Sequence, residues 1–251
     1  MSNGKRVALI TGGVGGVGRA VARRLLESGY TVVLADLDRN GSREVADSIG
    51  CEFAPVDVTH QASMNAAVEQ VEAKHGRLDL VHLNAGITAG WRPFHEIPSE
   101  EYQQVVDVNV HGVVFGVLAS APALARAGGG SIVVTASLAG LTQSRDPYYA
   151  LAKAAAVGFV RSAAPQLAEQ KITINALCPS FIDTPLVAEE LRSSGYPMLQ
   201  PDDVARATMR LLDSGGTGEA WLIQVGHEPQ PYRFRGVPGA RLADGTTAQL
   251  P

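Results

Sequence analysis

What most restricts the fold of this 251-residue chain is a regular alternation of two apolar patterns. Short runs rich in Val, Ile, Leu and Ala, at residues 7–10, 31–35, 78–83, 131–135, 173–177 and 220–225, have the length of buried strands. Between them, residues 16–28, 42–49, 61–75, 100–127, 149–170 and 201–212 carry apolar side chains at helical spacing. A strand that is apolar on both sides must be covered on both sides, and a helix crossing over between consecutive strands does this for a parallel sheet. The pattern predicts an α/β fold, a doubly wound parallel sheet with helices on both faces. A length of 251 residues suits one such core and is short for two. Pro122 and Pro165 fall inside predicted helices, and each is expected to kink or shorten its helix. From residue 226 the alternation stops. Residues 226–251, rich in Pro and Gly, read as a mobile tail or as an extension packed on another part of the assembly.

Composition excludes some classes of partner. Charged residues make up 18% of the chain and the net charge is −4, with no basic block, so neither nucleic acid nor an anionic membrane surface is an expected partner. The longest near-apolar run, 112–125, is shorter than a bilayer requires, and residues 1–6 lead into the first strand without the pattern of a cleavable leader. The only two cysteines, Cys51 and Cys178, are far apart in sequence, which suits a reducing compartment and makes the cytoplasm the expected location. None of the six histidines, His60, His75, His82, His95, His111 and His227, pairs with another at metal-ligand spacing, so no metal is expected.

The first strand ends in Thr11-Gly12-Gly13-Val14-Gly15-Gly16-Val17-Gly18, and a helix follows at once. A pyrophosphate needs backbone N–H donors and the positive end of a helix dipole, and it needs glycine where a side chain would block its approach. A glycine cluster alone is equally a tight turn, but this one joins a strand to a helix. Asp36 stands eighteen residues after Gly18, at the end of the second strand. A carboxylate there accepts hydrogen bonds from ribose hydroxyls and repels a 2′-phosphate. Neither Gly15 nor Leu37 is basic, so NAD is favoured over NADP, with Arg39 the one nearby cation that argues the other way.

Tyr149 and Lys153 are four residues apart on a predicted helix, which places phenol and ammonium on one face. A free tyrosine, with a pKa of about 10, is a poor base at neutral pH, and a nearby cation lowers that value. Such a pair on its own is common on helix surfaces. Here it stands last in an ordered series: Thr11-Gly12-x-x-x-Gly16-Val17-Gly18, Asp57-Val58, Asn84-Ala85-Gly86, Asn109, Ser137 and Tyr149-x-x-x-Lys153. In order and spacing this series resembles the branch of the short-chain dehydrogenase/reductase family whose chains have roughly this length, over residues 5–225.

The resemblance implies one Rossmann-like, NAD-binding domain over residues 1–225, with a substrate lid at about 185–199 and residues 226–251 as its extension or tail. It also implies hydride transfer between NAD and a secondary alcohol or ketone. Tyr149 would be the general acid/base, Lys153 would lower its pKa and hold the nicotinamide ribose, and Ser137 would steady the substrate oxygen. Asn109 would bend its helix and hold a water in a proton relay through Lys153. Gly12, Val14, Gly15, Gly16, Val17, Gly18, Asp36 and Leu37 would hold the pyrophosphate and adenosine ribose. Asp57 and Val58 would contact the adenine, and Asn84, Ala85 and Gly86 would pass beneath that ribose. Pro179, Ile182 and Thr184 would meet the nicotinamide end.

Leu83 replaces the first of the family's two asparagines, Pro179-Ser180 replaces its Pro-Gly, and Gly226-His227-Glu228 stands where it shows paired glycines. Trp91, Phe94, Leu141, Tyr148, Phe181, Leu186, Leu191 and Met198 would give a moderately hydrophobic substrate cleft, with Arg92, Gln143 and Arg145 as candidates to recognise a polar group or carboxylate. The helices 100–127 and 149–170 carry small apolar residues suited to a homodimer or homotetramer contact. Two other readings stay open: a carbonyl reductase preferring NADPH, and a non-catalytic NAD-binding sensor or scaffold.

Overall fold

The computed structural model describes residues 5–39, 41–238, 240, 241, 243, 246 and 247. Its elements follow in the order β1 (Val7–Thr11), α1 (Gly16–Glu27), β2 (Thr31–Asp36), α2 (Ser42–Ser48), β3 (Glu52–Pro55), α3 (Gln61–His75) and β4 (Leu80–Leu83). There follow α4 (Ser99–Val106), α5 (Gly112–Arg126), β5 (Gly130–Thr135), α6 (Pro147–Ala168), β6 (Ile172–Pro179), α7 (Glu189–Arg192), α8 (Pro201–Ser214), β7 (Ala220–Ile223) and β8 (Gln230–Pro231). One sheet joins the strands in the order β3-β2-β1-β4-β5-β6-β7-β8. All neighbours are parallel except β7 and β8, which run antiparallel. The strand order reverses direction between β1 and β4, and at such a switch point the carboxyl ends of the strands open a crevice.

Alternate residues of the central strands feed two separate cores. Leu9, Val33, Val81, Val134 and Ile174 pack under α3, α5 and α6. Ile10, Leu34, Leu80, Val133 and Leu177 pack under α1 and α8. Burial of each such side chain contributes about 1.5–3 kcal/mol, which makes strand register the best-determined feature of the molecule. Arg24 of α1 and Asp202 of α8 close the second layer with a paired contact at 2.7 Å.

Three expectations bear comparison with the structure. Pro122 and Pro165 do not shorten their helices; both lie within continuous α5 and α6, at the loss of one backbone hydrogen bond each. The run 112–125 lies within a longer helical segment, Ser99–Arg126. By length and composition that segment could cross a membrane, but here it carries one wall of the first core against α3 and α6. The C-terminal segment, expected as an extension or tail, begins by packing on its own chain: β8 pairs with β7, and Phe234 lies 3.7 Å beneath the Arg161 guanidinium of α6. Residues 1–4, 239, 242, 244, 245 and 248–251, which the expectations for the leader and the tail also covered, lie outside the described residues.

Candidate active site

The glycine turn leaves β1 at Thr11 and enters α1 with Gly15 as its N-cap, with no side-chain cap and no acidic residue in the first turn. The amides of Gly16, Val17 and Gly18 therefore lie at a helix end that no side chain of its own satisfies. Three glycines are sterically required, Gly13 among them, since a Cβ there would lie 2.8 Å from the Ile10 carbonyl oxygen. A Cβ on Gly18 would lie 2.5 Å from the Gly12 carbonyl oxygen and 2.7 Å from that of Gly13; one on Gly12, whose φ is +61°, would lie 2.8 Å from Ala85 Cα. Gly15 and Gly16 are open by comparison: a Cβ on Gly16 would first meet Thr184 at 3.4 Å. The loop after β6 thus lies over the turn.

Asp36 ends β2 with its carboxylate on this turn, accepting from the amides of Val14 at 3.1 Å and Leu37 at 2.8 Å. Arg39 is exposed. Asp57 follows β3, and its carboxylate takes two hydrogen bonds from Thr59, which hold it below the usual carboxylate range. Val58 is buried against α5, where a Cβ on Gly112 would lie 3.0 Å from it. Asn84 braces the turn from β4: its Nδ2 donates to the Gly12 carbonyl at 3.2 Å, its amide to Thr11 Oγ1 at 3.0 Å. Its Oδ1 accepts from Thr135 Oγ1 at 3.1 Å. Since the Thr135 hydroxyl donates there, His82 Nε2, 2.8 Å away, must be the donor to Thr135, which assigns the neutral Nε2–H tautomer. Burial pushes His82 down to about 3, in keeping with a neutral ring.

The four residues expected to do the chemistry converge on the crevice at the carboxyl ends of β4, β5 and β6. Lys153 is buried, and its ammonium donates to the Thr135 carbonyl at 2.8 Å and lies 5.4 Å from the Tyr149 ring centre. Ser137 heads the turn after β5; its hydroxyl accepts from the Ala139 amide and also reaches the Tyr149 phenol. Asn109 sits in a π-helical segment, Asp107–His111, between α4 and α5. Its Nδ2 donates to the carbonyls of Val105 and Ile87, both at 2.9 Å, and its buried Oδ1 accepts from nothing. Gly86 lies between: a Cβ there would be 2.9 Å from Asn109 Oδ1 and 3.2 Å from Lys153 Nζ.

The electrostatics differ from the expectation that the ammonium makes the phenol acidic. Burial pushes Tyr149 up to about 12, with the Ser137 hydroxyl pulling it back, and pushes Lys153 down to about 8. Loss of hydration disfavours both charged forms and is the largest cause of the shift at each.

Pro179 ends β6, buried. Ile182 bridges to Leu199, which ties together the two ends of the segment expected as a lid. Within the lid, Arg192 pairs with Asp183 at 2.9 Å. Trp91, Phe181 and Tyr196 form a chain of edge-to-face contacts, with ring centres 5.8 and 5.7 Å apart. Arg92 is tied to Glu101 and to the Ala89 carbonyl. Tyr148 packs on Tyr102, with ring centres 4.9 Å apart. Leu141 and Gln143 line an outward groove with Pro147, Ala150, Leu151 and Ala154, on the side of α6 turned away from buried Lys153. Sequence reasoning missed Tyr196 and Asp146. Asp146, nearly fully buried, caps α6 through the Tyr149 amide at 2.9 Å and holds Thr88 Oγ1 and the Ala89 amide at 2.6 and 3.0 Å. It therefore ties the loop after β4 to the helix that carries Tyr149. The signal was present, an Asp directly before Pro147 at a helix start.

A doubly wound sheet with a glycine turn at its switch point, and a Ser-Tyr-Lys-Asn group beside it, defines a dinucleotide-dependent oxidoreductase architecture. The short chain dehydrogenase family profile matches residues 6–194. The chain is 34% identical over 241 residues to the cyclohexanol dehydrogenase of Acinetobacter sp. (strain SE19), covering 89% of this chain and 96% of that one. It is 34% identical over 190 residues to the cis-4-hydroxycyclohexanecarboxylate dehydrogenase of Sinomonas cyclohexanicum, covering 73% and 76%. Among solved structures, the 3-ketoacyl-(acyl-carrier-protein) reductase of Brucella melitensis complexed with NADH superposes with a TM-score of 0.82 at 32% identity, over 90% of this chain and 99% of that one. The chain belongs to the short-chain dehydrogenase/reductase family, whose members bind nicotinamide cofactors.

Proposed function

We propose that this protein interconverts a secondary alcohol and a ketone with NAD, Tyr149 acting as the general acid/base. The observation that carries the reading is the convergence of Ser137, Tyr149, Lys153 and Asn109 on the crevice beside the glycine turn. The chain fits a dinucleotide at both ends. The bare first turn of α1 suits the pyrophosphate, and the Asp36 carboxylate suits a ribose with a free 2′-hydroxyl and opposes a 2′-phosphate. Asp57, Val58, Asn84, Ala85 and Gly86 would line the adenosine half, and Pro179, Ile182 and Thr184 the nicotinamide half. What NAD supplies when bound is a hydride acceptor whose oxidised ring carries a positive charge.

The protein's part is to hold the substrate oxygen and move its proton. In ketone reduction, the Tyr149 phenol, still protonated at neutral pH, gives its proton to the carbonyl oxygen while Ser137 steadies the growing negative charge. In alcohol oxidation the phenolate takes the hydroxyl proton back. Lys153 supplies the compensating charge beside it, and the unpaired Asn109 Oδ1 accepts from a water in line with that ammonium. The aromatic rim of Trp91, Phe181 and Tyr196 favours a ring-bearing substrate, as do relatives named for cyclohexanol and for a hydroxycyclohexane carboxylate.

Two further parts of the reading concern assembly and place. The exposed Leu118 of α5 and Leu151 of α6 suit a homodimer or homotetramer built through those helices. Two buried free cysteines suit the cytoplasm. The test of function is a panel of cyclic secondary alcohols and ketones, assayed with NAD and with NADP through the absorbance of the reduced cofactor. Turnover preferring NAD, cut on the order of 10²–10⁴-fold in Tyr149→Phe, is expected. A preference for NADP would sink the Asp36 argument, and cofactor binding without turnover would favour the sensor reading.

A further inference from the structure

We propose that Arg145 binds a carboxylate carried by the substrate, so that the alcohol this protein oxidises is a ring-bearing hydroxy acid. The inference rests on the oxidoreductase reading and deepens it. Arg145 lies four residues before Tyr149, in the loop after β5, and its guanidinium stands 5.2 Å from the centre of the Trp91 ring. Trp91 touches Phe181 from the loop after β6, and Phe181 touches Tyr196 of the lid. Three loops at the carboxyl ends of adjacent strands thus meet in one patch at the crevice, and Arg145 is one of two cations on it.

Those aromatic rings are 37–49% exposed, an unusual arrangement unless something apolar covers them. A guanidinium held over an indole by cation–π attraction still carries its N–H donors in the fork that matches a carboxylate. The neighbouring charges do not occupy that fork. Arg92, the other cation of the rim, is committed to Glu101 and to the Ala89 carbonyl. The adjacent Asp146 carboxylate is taken by Thr88, Ala89 and Tyr149. Among the described residues no ion pair involves Arg145. A cation held beside an indole, with no ion pair among the described residues and an apolar ring surface next to it, has the chemistry of a receptor for a ring acid.

The test compares kcat/KM for 4-hydroxycyclohexanecarboxylate with that for its methyl ester, which differ in charge and hardly in ring shape. The wild-type protein is expected to prefer the acid by about tenfold or more, the usual effect of a charge-assisted hydrogen bond. Arg145→Leu should bring that ratio close to one and Arg145→Lys should leave it in between, while Arg92→Leu should leave the ratio near the wild-type value. A ratio near one in the wild type, or one that Arg145→Leu leaves unchanged, overturns the proposal. Calorimetric binding of cyclohexanecarboxylate to the protein with NAD present gives a readout independent of turnover. Binding weakened about tenfold in Arg145→Leu supports the proposal even if no alcohol is oxidised, in which case only the oxidoreductase reading fails. Binding equal in both proteins overturns it.

Discussion

Replacing Lys153 with methionine should abolish turnover and at the same time make the protein more stable at neutral pH. The ammonium is almost fully buried, and burial moves it from 10.5 to about 8. At about 1.4 kcal/mol per pH unit, that displacement means holding the charge in the fold costs about 3 kcal/mol below pH 8. The sign follows from proton counting. Between about pH 8 and pH 10.5 the unfolded chain binds the proton and the folded one does not, so wild-type stability rises with pH through that window and the penalty is constant below it. Methionine keeps the apolar stem, removes the charge, and gives up the hydrogen bond to the Thr135 carbonyl, worth about 1 kcal/mol. Lys153→Met should therefore gain about 2 kcal/mol at pH 7, a rise in Tm on the order of 5 °C for a chain of this size. Denaturant melts of both proteins at a series of pH values provide the assay. The gap should shrink as pH rises past 8, vanish at about pH 9.5 and then reverse by about the value of the lost hydrogen bond. A less stable methionine variant at pH 7, or a gap that widens with pH, would refute the reasoning.

The turn predicts a contrast between neighbouring glycines. Gly18→Ala drives a Cβ against two carbonyl oxygens and should cost about 2 kcal/mol or more, whereas Gly15→Ala meets the Gly12 oxygen at only 3.3 Å and should cost under about 1 kcal/mol, compared by urea unfolding. Thr135→Val removes the partner of both His82 Nε2 and Asn84 Oδ1 at nearly constant shape, and should destabilise by about 2–4 kcal/mol. His82→Leu should then cost less in that background than alone, and additive costs would show that the three groups are uncoupled. Because burial raises the Tyr149 phenol, alcohol oxidation should speed up with rising pH and ketone reduction should not. Initial rates across the neutral and mildly alkaline range check this, and oxidation slowing over that range would contradict it.

The parts of the fold that could be read from the chain are those in which one physical effect dominates. Strands β1, β2, β5 and β6 are apolar on both sides, and such strands announce themselves. The edge strand β3, Glu52–Pro55, was not expected, because it is short, ends in proline, and is only partly buried. The two residues of β8 carry no periodicity at all. Helices α5 and α6 run on through Pro122 and Pro165 because tertiary packing on the sheet outweighs the loss of one hydrogen bond. Leu83, a departure from the family pattern, is explained only in three dimensions: its side chain fills the space that any side chain on Gly116 would need.

For the site, spacing gave proximity but could not give the dielectric. A tyrosine and a lysine four residues apart on a helix share a face, and the structure has them facing each other. Whether the lysine acidifies the phenol depends on how much water the fold removes from both, and that depends on β5, β6 and the π-helical segment, none of them near in sequence. With hydration gone, a neutral phenol and a weakened ammonium are the favoured states. Such a pocket is poised to donate a proton to a carbonyl, and it needs added positive charge before it will take one from an alcohol. On this argument the direction of the reaction is governed as much by the oxidation state of the cofactor as by the spacing of Tyr149 and Lys153. Tyr149 should accordingly titrate lower with NAD bound than with NADH bound, and equal values by ultraviolet difference titration would remove the electrostatic basis of the mechanism.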